Sequence, residues 1–114
     1  MRQISDIVLR PEQSAALDEI RRRLYGEFDV ESIIFYGSVA RGEGDEESDQ
    51  DLLILTKRPL SRPERHEITD MVFEVNLRLG TNFSTLVVDR QSWEAGAIAV
   101  LPVREEILRD GVLV

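Results

Sequence analysis

The chain contains no cysteine. That excludes a disulfide framework, a thiolate metal site and a cysteine nucleophile, and it agrees with a reducing compartment. Histidine occurs once, at His66, on a segment read below as a helix, where a surface or structural role is expected rather than catalysis. Long hydrophobic runs are missing as well. No stretch reaches the ~20 apolar residues that span a bilayer, and the apolar run within residues 1–10 is too short for a signal peptide, so a cytoplasmic location with no membrane partner is expected. Positive charge is scarce. Fourteen Lys and Arg face 22 Asp and Glu, for a formal charge of -8, and six of the nine residues from Glu43 to Asp51 are acidic. Such a surface repels a phosphate backbone, so direct binding of duplex nucleic acid is not expected and cations are the natural guests.

What is present suits a globular α/β domain. Hydrophobic residues make up 42% and charged residues 32% of 114 positions, a length that predicts one domain over 1–114. Pro11 at an early helical position and Leu17, Ile20 and Leu24 at helical spacing predict a first helix ending near Gly26. Ser32 to Tyr36 reads as a buried strand stopped by Gly37, and Asp51 to Thr56 as a second strand, nearly continuous in apolar residues and therefore covered on both faces. Ser61 and Glu64 have capping-box spacing. They open a helix whose apolar stripe is Ile68, Met71, Val72, Val75 and Leu79, closed by Gly80. A third strand is expected over Phe83 to Asp89, then a short turn or helix around Trp93, a core or interface anchor, and a last helix from Pro102 through Leu108 to Gly111. No internal repeat or low-complexity linker interrupts this order.

The chemistry concentrates in the middle of the chain. Gly37 and Ser38 follow a strand directly, where a glycine admits close backbone approach and a serine hydroxyl adds a donor for phosphate oxygens. After the acidic segment come Asp49 and Asp51 at the start of the next strand. Alternate strand positions point to the same side with Cα atoms roughly 6–7 Å apart, so the two carboxylates can grip divalent ions and are relieved of mutual repulsion by doing so. Ions held there can bridge a nucleoside triphosphate and stabilise in-line displacement at its α-phosphorus. Arg41 can steady phosphate charge. Each piece has a plainer reading, since Gly-Ser turns are common, acidic runs are usually solvated loops and strand-edge aspartates can be turn formers. Competing motifs fail: no P-loop ending, no Gly-x-Gly-x-x-Gly fingerprint and no hydrolase elbow is present, and a calcium loop starting at Asp45 would need glycine where Gln50 stands.

Gly37-Ser38, ten residues, then Asp49-x-Asp51, together with Ala40-Arg41-Gly42, Ser48 and the ending from Ile107 to Leu113, resembles the signature of minimal nucleotidyltransferases of the DNA polymerase β superfamily. The resemblance implies a polymerase β palm-like α/β (α+β) fold with a small mixed sheet of three to four strands and helices on one face. It also implies Asp49 and Asp51 as catalytic residues and ligands of Mg²⁺, with Gly37, Ser38 and Arg41 binding ATP. The family's third carboxylate comes from a later strand. Here Asn82 and Ser84 stand at the matching positions, and Asp89 lies at that strand's far end. Members of this size resemble antitoxins paired with helical HEPN-type toxins, some of which they silence by transferring AMP to a tyrosine. The expected function is therefore Mg²⁺-dependent transfer of AMP to a hydroxyl of a HEPN-type partner. The alternatives are a catalytically weak or inactive module that neutralises a partner by binding and a small-molecule nucleotidyltransferase built by dimerisation; homo- or hetero-oligomers are open in each case.

Overall fold

The computed structural model describes residues 1–37, 40 and 49–114. In chain order the elements are β1 (Arg2–Gln3), a 3₁₀ turn (Ile4–Asp6), α1 (Pro11–Glu27), β2 (Val30–Tyr36), β3 (Gln50–Thr56), α2 (Arg62–Leu79), β4 (Phe83–Asp89), α3 (Arg90–Ala95), a second 3₁₀ turn (Ala97–Val100), α4 (Pro102–Asp110) and β5 (Val112–Leu113). The strands form one sheet in the order β1-β5-β2-β3-β4. β2 runs antiparallel to β3 and to β5, whereas β3 and β4 are parallel and joined by α2 as the crossover.

Local signals place the helix ends. Pro11 opens α1, which buries Ala16, Leu17, Ile20 and Leu24 on one stripe. In α2 the Ser61 hydroxyl accepts from the Glu64 N–H at 3.3 Å, and the Glu64 carboxylate accepts from the Ser61 N–H at 3.0 Å, the reciprocal cap expected of this spacing. Arg58 grips Glu64 at 2.7 Å and also reaches Asp29; its guanidinium is the main reason the Glu64 carboxyl titrates at about 2. Gly80 ends α2 in the left-handed conformation. Gly111 closes α4 differently. Its backbone is extended, and glycine is required because a Cβ would stand 2.4 Å from the Ile107 carbonyl oxygen and 2.7 Å from Ile34 Cγ2.

The mixed α/β sheet is as expected, with two differences in detail. Among the described residues it has five strands rather than three or four, because two-residue β1 and β5, each too short to show a pattern, extend it beside β2. Helices also cover both faces rather than one. Leu52 and Ile54 of β3, with Ile33 and Phe35 of β2, pack beneath α1 and α2. Leu53 and Leu55, with Ile34 and Tyr36, pack with Trp93 of α3 and Ile107 of α4. The uninterrupted run Leu52-Leu53-Ile54-Leu55 follows from this sandwiching, since a strand buried on both sides has no polar face. Trp93 is an anchor of this second layer, with the Arg104 guanidinium 5.1 Å from its ring centroid. His66 is exposed on α2.

Candidate nucleotidyl-transfer site

Asp51 lies near the start of β3, on the sheet face that carries the second layer. Asp51 sits opposite Tyr36 on one side and Ser84 on the other. It is the second residue of β3 and shares the face of Leu53 and Leu55. Its Oδ1 accepts a hydrogen bond from the Ser84 hydroxyl at 2.9 Å. Gly37 follows Tyr36 immediately and has φ +93°, a value that disfavours any side chain. A Cβ there would lie only 2.6 Å from Asp51 Oδ2, so the bare glycine backbone forms one wall against the carboxylate. Asp49 stands two residues ahead of Asp51 and is exposed. Of the remaining expected site residues, Ser38 and Arg41 lie outside the described residues. Ala40, inside that segment, is buried, and its carbonyl accepts from Arg2 Nη2 at 3.0 Å while the same nitrogen reaches the Asp110 carbonyl at 2.8 Å.

Electrostatically this is a strained corner. Partial burial raises the proton affinity of Asp51 above that of an ordinary carboxylate; the Ser84 hydroxyl opposes the shift, and the charges of Asp49 and Glu106 add to it. Burial also pushes the Tyr36 phenol up to about 12, with Asp51 and Glu106 contributing. Sequence reasoning missed Tyr36 and Glu106. Tyr36 carried a signal in its position just before the Gly-Ser turn; Glu106 carried none, because α4 reaches the site only through the packing of the second layer.

Two aspartates beside a hydroxyl are hard oxygen donors, and a glycine wall leaves room where a Cβ would crowd the carboxylate. That donor set fits Mg²⁺, which binds proteins through one or two carboxylates and keeps waters or substrate phosphates for the rest of its shell. Among the described residues no group of three or more His, Cys, Asp or Glu side chains is gathered for a metal. The register explains why. Ser84, not Asn82, stands across from Asp51, so the place of a third carboxylate holds a hydroxyl. Asp89 pairs with Thr56 at the opposite end of β3, where it caps α3 by accepting from Ser92, and it takes no part in this site. No helix of the described residues is long and apolar enough to cross a membrane.

A mixed sheet that sets a glycine at the end of one strand against an aspartate at the start of the next suits nucleotidyl transfer. Residues 15–110 match the family model of the nucleotidyltransferase domain, and the chain belongs to that family. It is 42% identical over 77 residues to MJ1305 of Methanocaldococcus jannaschii, whose name describes a protein adenylyltransferase; the match covers 64% of this chain and about half, 52%, of that relative. Among solved structures, a minimal nucleotidyltransferase superposes with a TM-score of 0.62 at 21% identity, covering 88% of this chain and 90% of the other. A chain of a toxin–antitoxin complex with AMP-PNP gives 0.59 at 16% identity, covering 91% and 72%. A chain of the tri-AMPylated Shewanella oneidensis HEPN toxin bound to its MNT antitoxin gives 0.55 at 16%, covering 89% and 70%. These structural likenesses establish a shared fold.

Proposed function

We propose that this chain is a Mg²⁺-dependent adenylyltransferase acting as an antitoxin, and that it passes AMP from ATP to a hydroxyl of a HEPN-type partner protein in the cytoplasm. The observation that carries the reading is the convergence on Asp51. Strand pairing brings Gly37 into contact with one carboxylate oxygen and Ser84 into a hydrogen bond with the other. Asp49 and Asp51 would hold Mg²⁺, and Gly37, with Ser38 and Arg41, would receive the triphosphate. Bound there, the ion supplies charge neutralisation at the α-phosphate and at the departing pyrophosphate. The glycine wall lets phosphate approach the backbone closely, and the Ser84 hydroxyl holds the Asp51 carboxylate in one orientation. The acceptor oxygen forms its bond to the α-phosphorus as the bond to pyrophosphate breaks, and the hydroxyl proton is lost to solvent at the exposed mouth beside Asp49. The relatives named as a protein adenylyltransferase and as antitoxin complexes support an acceptor that is itself a protein.

The test is to incubate the chain with α-labelled ATP, Mg²⁺ and a purified helical protein encoded beside it. Label on that protein, lost with Asp51→Asn, is the expected result; an unlabelled but bound partner counts decisively against transfer. The Ser84 hydroxyl favours one second reading, a module that neutralises its partner by covering it. In that case Asp49→Asn with Asp51→Asn leaves neutralisation intact.

A further inference from the structure

We infer that the groove running from Asp49 and Ser84 onto the outer face of α2 is where the acceptor protein docks, by way of a helix that carries an apolar ridge and a flanking basic residue. This inference rests on the reading that AMP is passed to a protein. Phe73 and Leu77, one helical turn apart on α2, are 62% and 70% exposed, although neighbouring Val72 and Val75 are fully packed. They line a hollow of about 530 Å³ whose other wall includes Asp49 and Ser84. A second hollow of about 290 Å³ opens on the β4 side and shares Phe73, Asn76, Phe83 and Ser84 with the first. Two contiguous hollows around one aromatic ring accept successive side chains of a helix ridge, as holes accept knobs.

The sheet edge argues for a helix over an extended peptide. Among the described residues β4 pairs only with β3, so its outer edge is open to strand addition in principle. Beside the groove that edge is closed. The Asn76 side chain donates to the Phe83 carbonyl at 2.9 Å and accepts from the Phe83 N–H at 3.0 Å, taking both backbone groups that Phe83 would offer a new strand. An occupant must therefore engage through side chains. Charge selects its sign: Asp49 in the groove and Asp70, one turn before Phe73, are exposed and without an ion-pair partner among the described residues. On a chain of net charge -8 these carboxylates repel a second copy and attract a cation beside the apolar ridge. A partner seated here borders the Asp51 carboxylate through Ser84, which hydrogen-bonds it.

The probes are the purified proteins encoded by the two reading frames flanking this chain's gene, titrated calorimetrically against the full chain. Phe73→Ser with Leu77→Ser should weaken binding of the helical partner by at least roughly 30-fold, the loss expected when anchor side chains are truncated. Asp70→Lys should weaken it with a reduced dependence on salt. Both apolar positions are exposed, so the double variant should fold, and Val8→Ser, at a site 98% exposed elsewhere, is the control that should bind as wild type. Wild-type affinity in the double variant overturns the docking surface while labelling of the partner would still uphold transfer. A partner bound through Phe73 and Leu77 but never labelled does the reverse. Failure of the wild-type chain to bind either flanking protein, or an equal loss of ATP affinity in the double variant, also overturns the proposal, the latter by making the groove a nucleotide subsite.

Discussion

Replacing Gly37 by alanine tests the site and the fold together. Position 37 has φ +93°, which glycine adopts freely and alanine does not, at a cost of about 1–3 kcal/mol. For a domain near 100 residues that is a fall in Tm of roughly 4–15 °C. The new methyl also meets Asp51 Oδ2 at 2.6 Å, when ordinary contact begins at 3.4 Å, so the carboxylate must retreat by several tenths of an ångström. That retreat disturbs the Ser84 hydrogen bond and misplaces the group that would hold Mg²⁺. Displacements of about 1 Å at a reacting centre cost on the order of 100-fold in rate, and transfer should fall by about that factor. The assays are thermal unfolding without nucleotide and transfer of label from ATP at saturating Mg²⁺. Undiminished transfer with an unchanged Tm would refute the argument that this glycine is both conformationally required and in contact with the metal-binding carboxylate.

Asp51→Asn should abolish transfer yet raise Tm at neutral pH. Because the folded protein raises the proton affinity of Asp51, the native state binds more protons than the unfolded chain, and this group lowers stability as pH rises through the window between its ordinary and raised values. The Tm advantage of the asparagine variant should therefore shrink as pH drops below the ordinary carboxylate range; a gap that widens there contradicts the assignment. Ser84→Asp should destabilise the metal-free protein by setting a second carboxylate against Asp51, and tighten Mg²⁺ about tenfold or more, read as a larger Mg²⁺-induced rise in Tm; an unchanged response to Mg²⁺ would show that this position does not reach the ion. Gln50, buried between the two aspartates with neither amide atom hydrogen-bonded among the described residues, should give a more stable protein as Gln50→Met, by about 1–2 kcal/mol at constant m in urea unfolding. Loss of stability instead would mean that the amide has a partner.

Local interactions wrote much of this protein into its sequence. The Ser61–Glu64 cap, Pro11 and Pro102 in first turns and the stripe from Ile68 to Leu79 depend on residues within a turn or two of one another, so α1, α2 and α4 were legible without a fold. The same is true of the linear order Gly-Ser then Asp-x-Asp. Even the double-sided burial of β3 was announced by its apolar run, although an expectation of helices on one face did not follow that signal through. Pairing register, by contrast, joins residues far apart in the chain, and only the tertiary structure decided it. Register chose Ser84 over Asn82 as the neighbour of Asp51, sent Asp89 to the other end of the sheet to cap α3, and pressed Gly37 against a carboxylate fourteen positions later. Packing of the second layer brought in Glu106, and terminal strands of two residues formed because the sheet offered them an edge, not because any local pattern called for them. That Phe73 and Leu77 stand exposed on α2, outside the buried stripe, and border the carboxylate site also follows from where the parallel crossover sets α2 against β4.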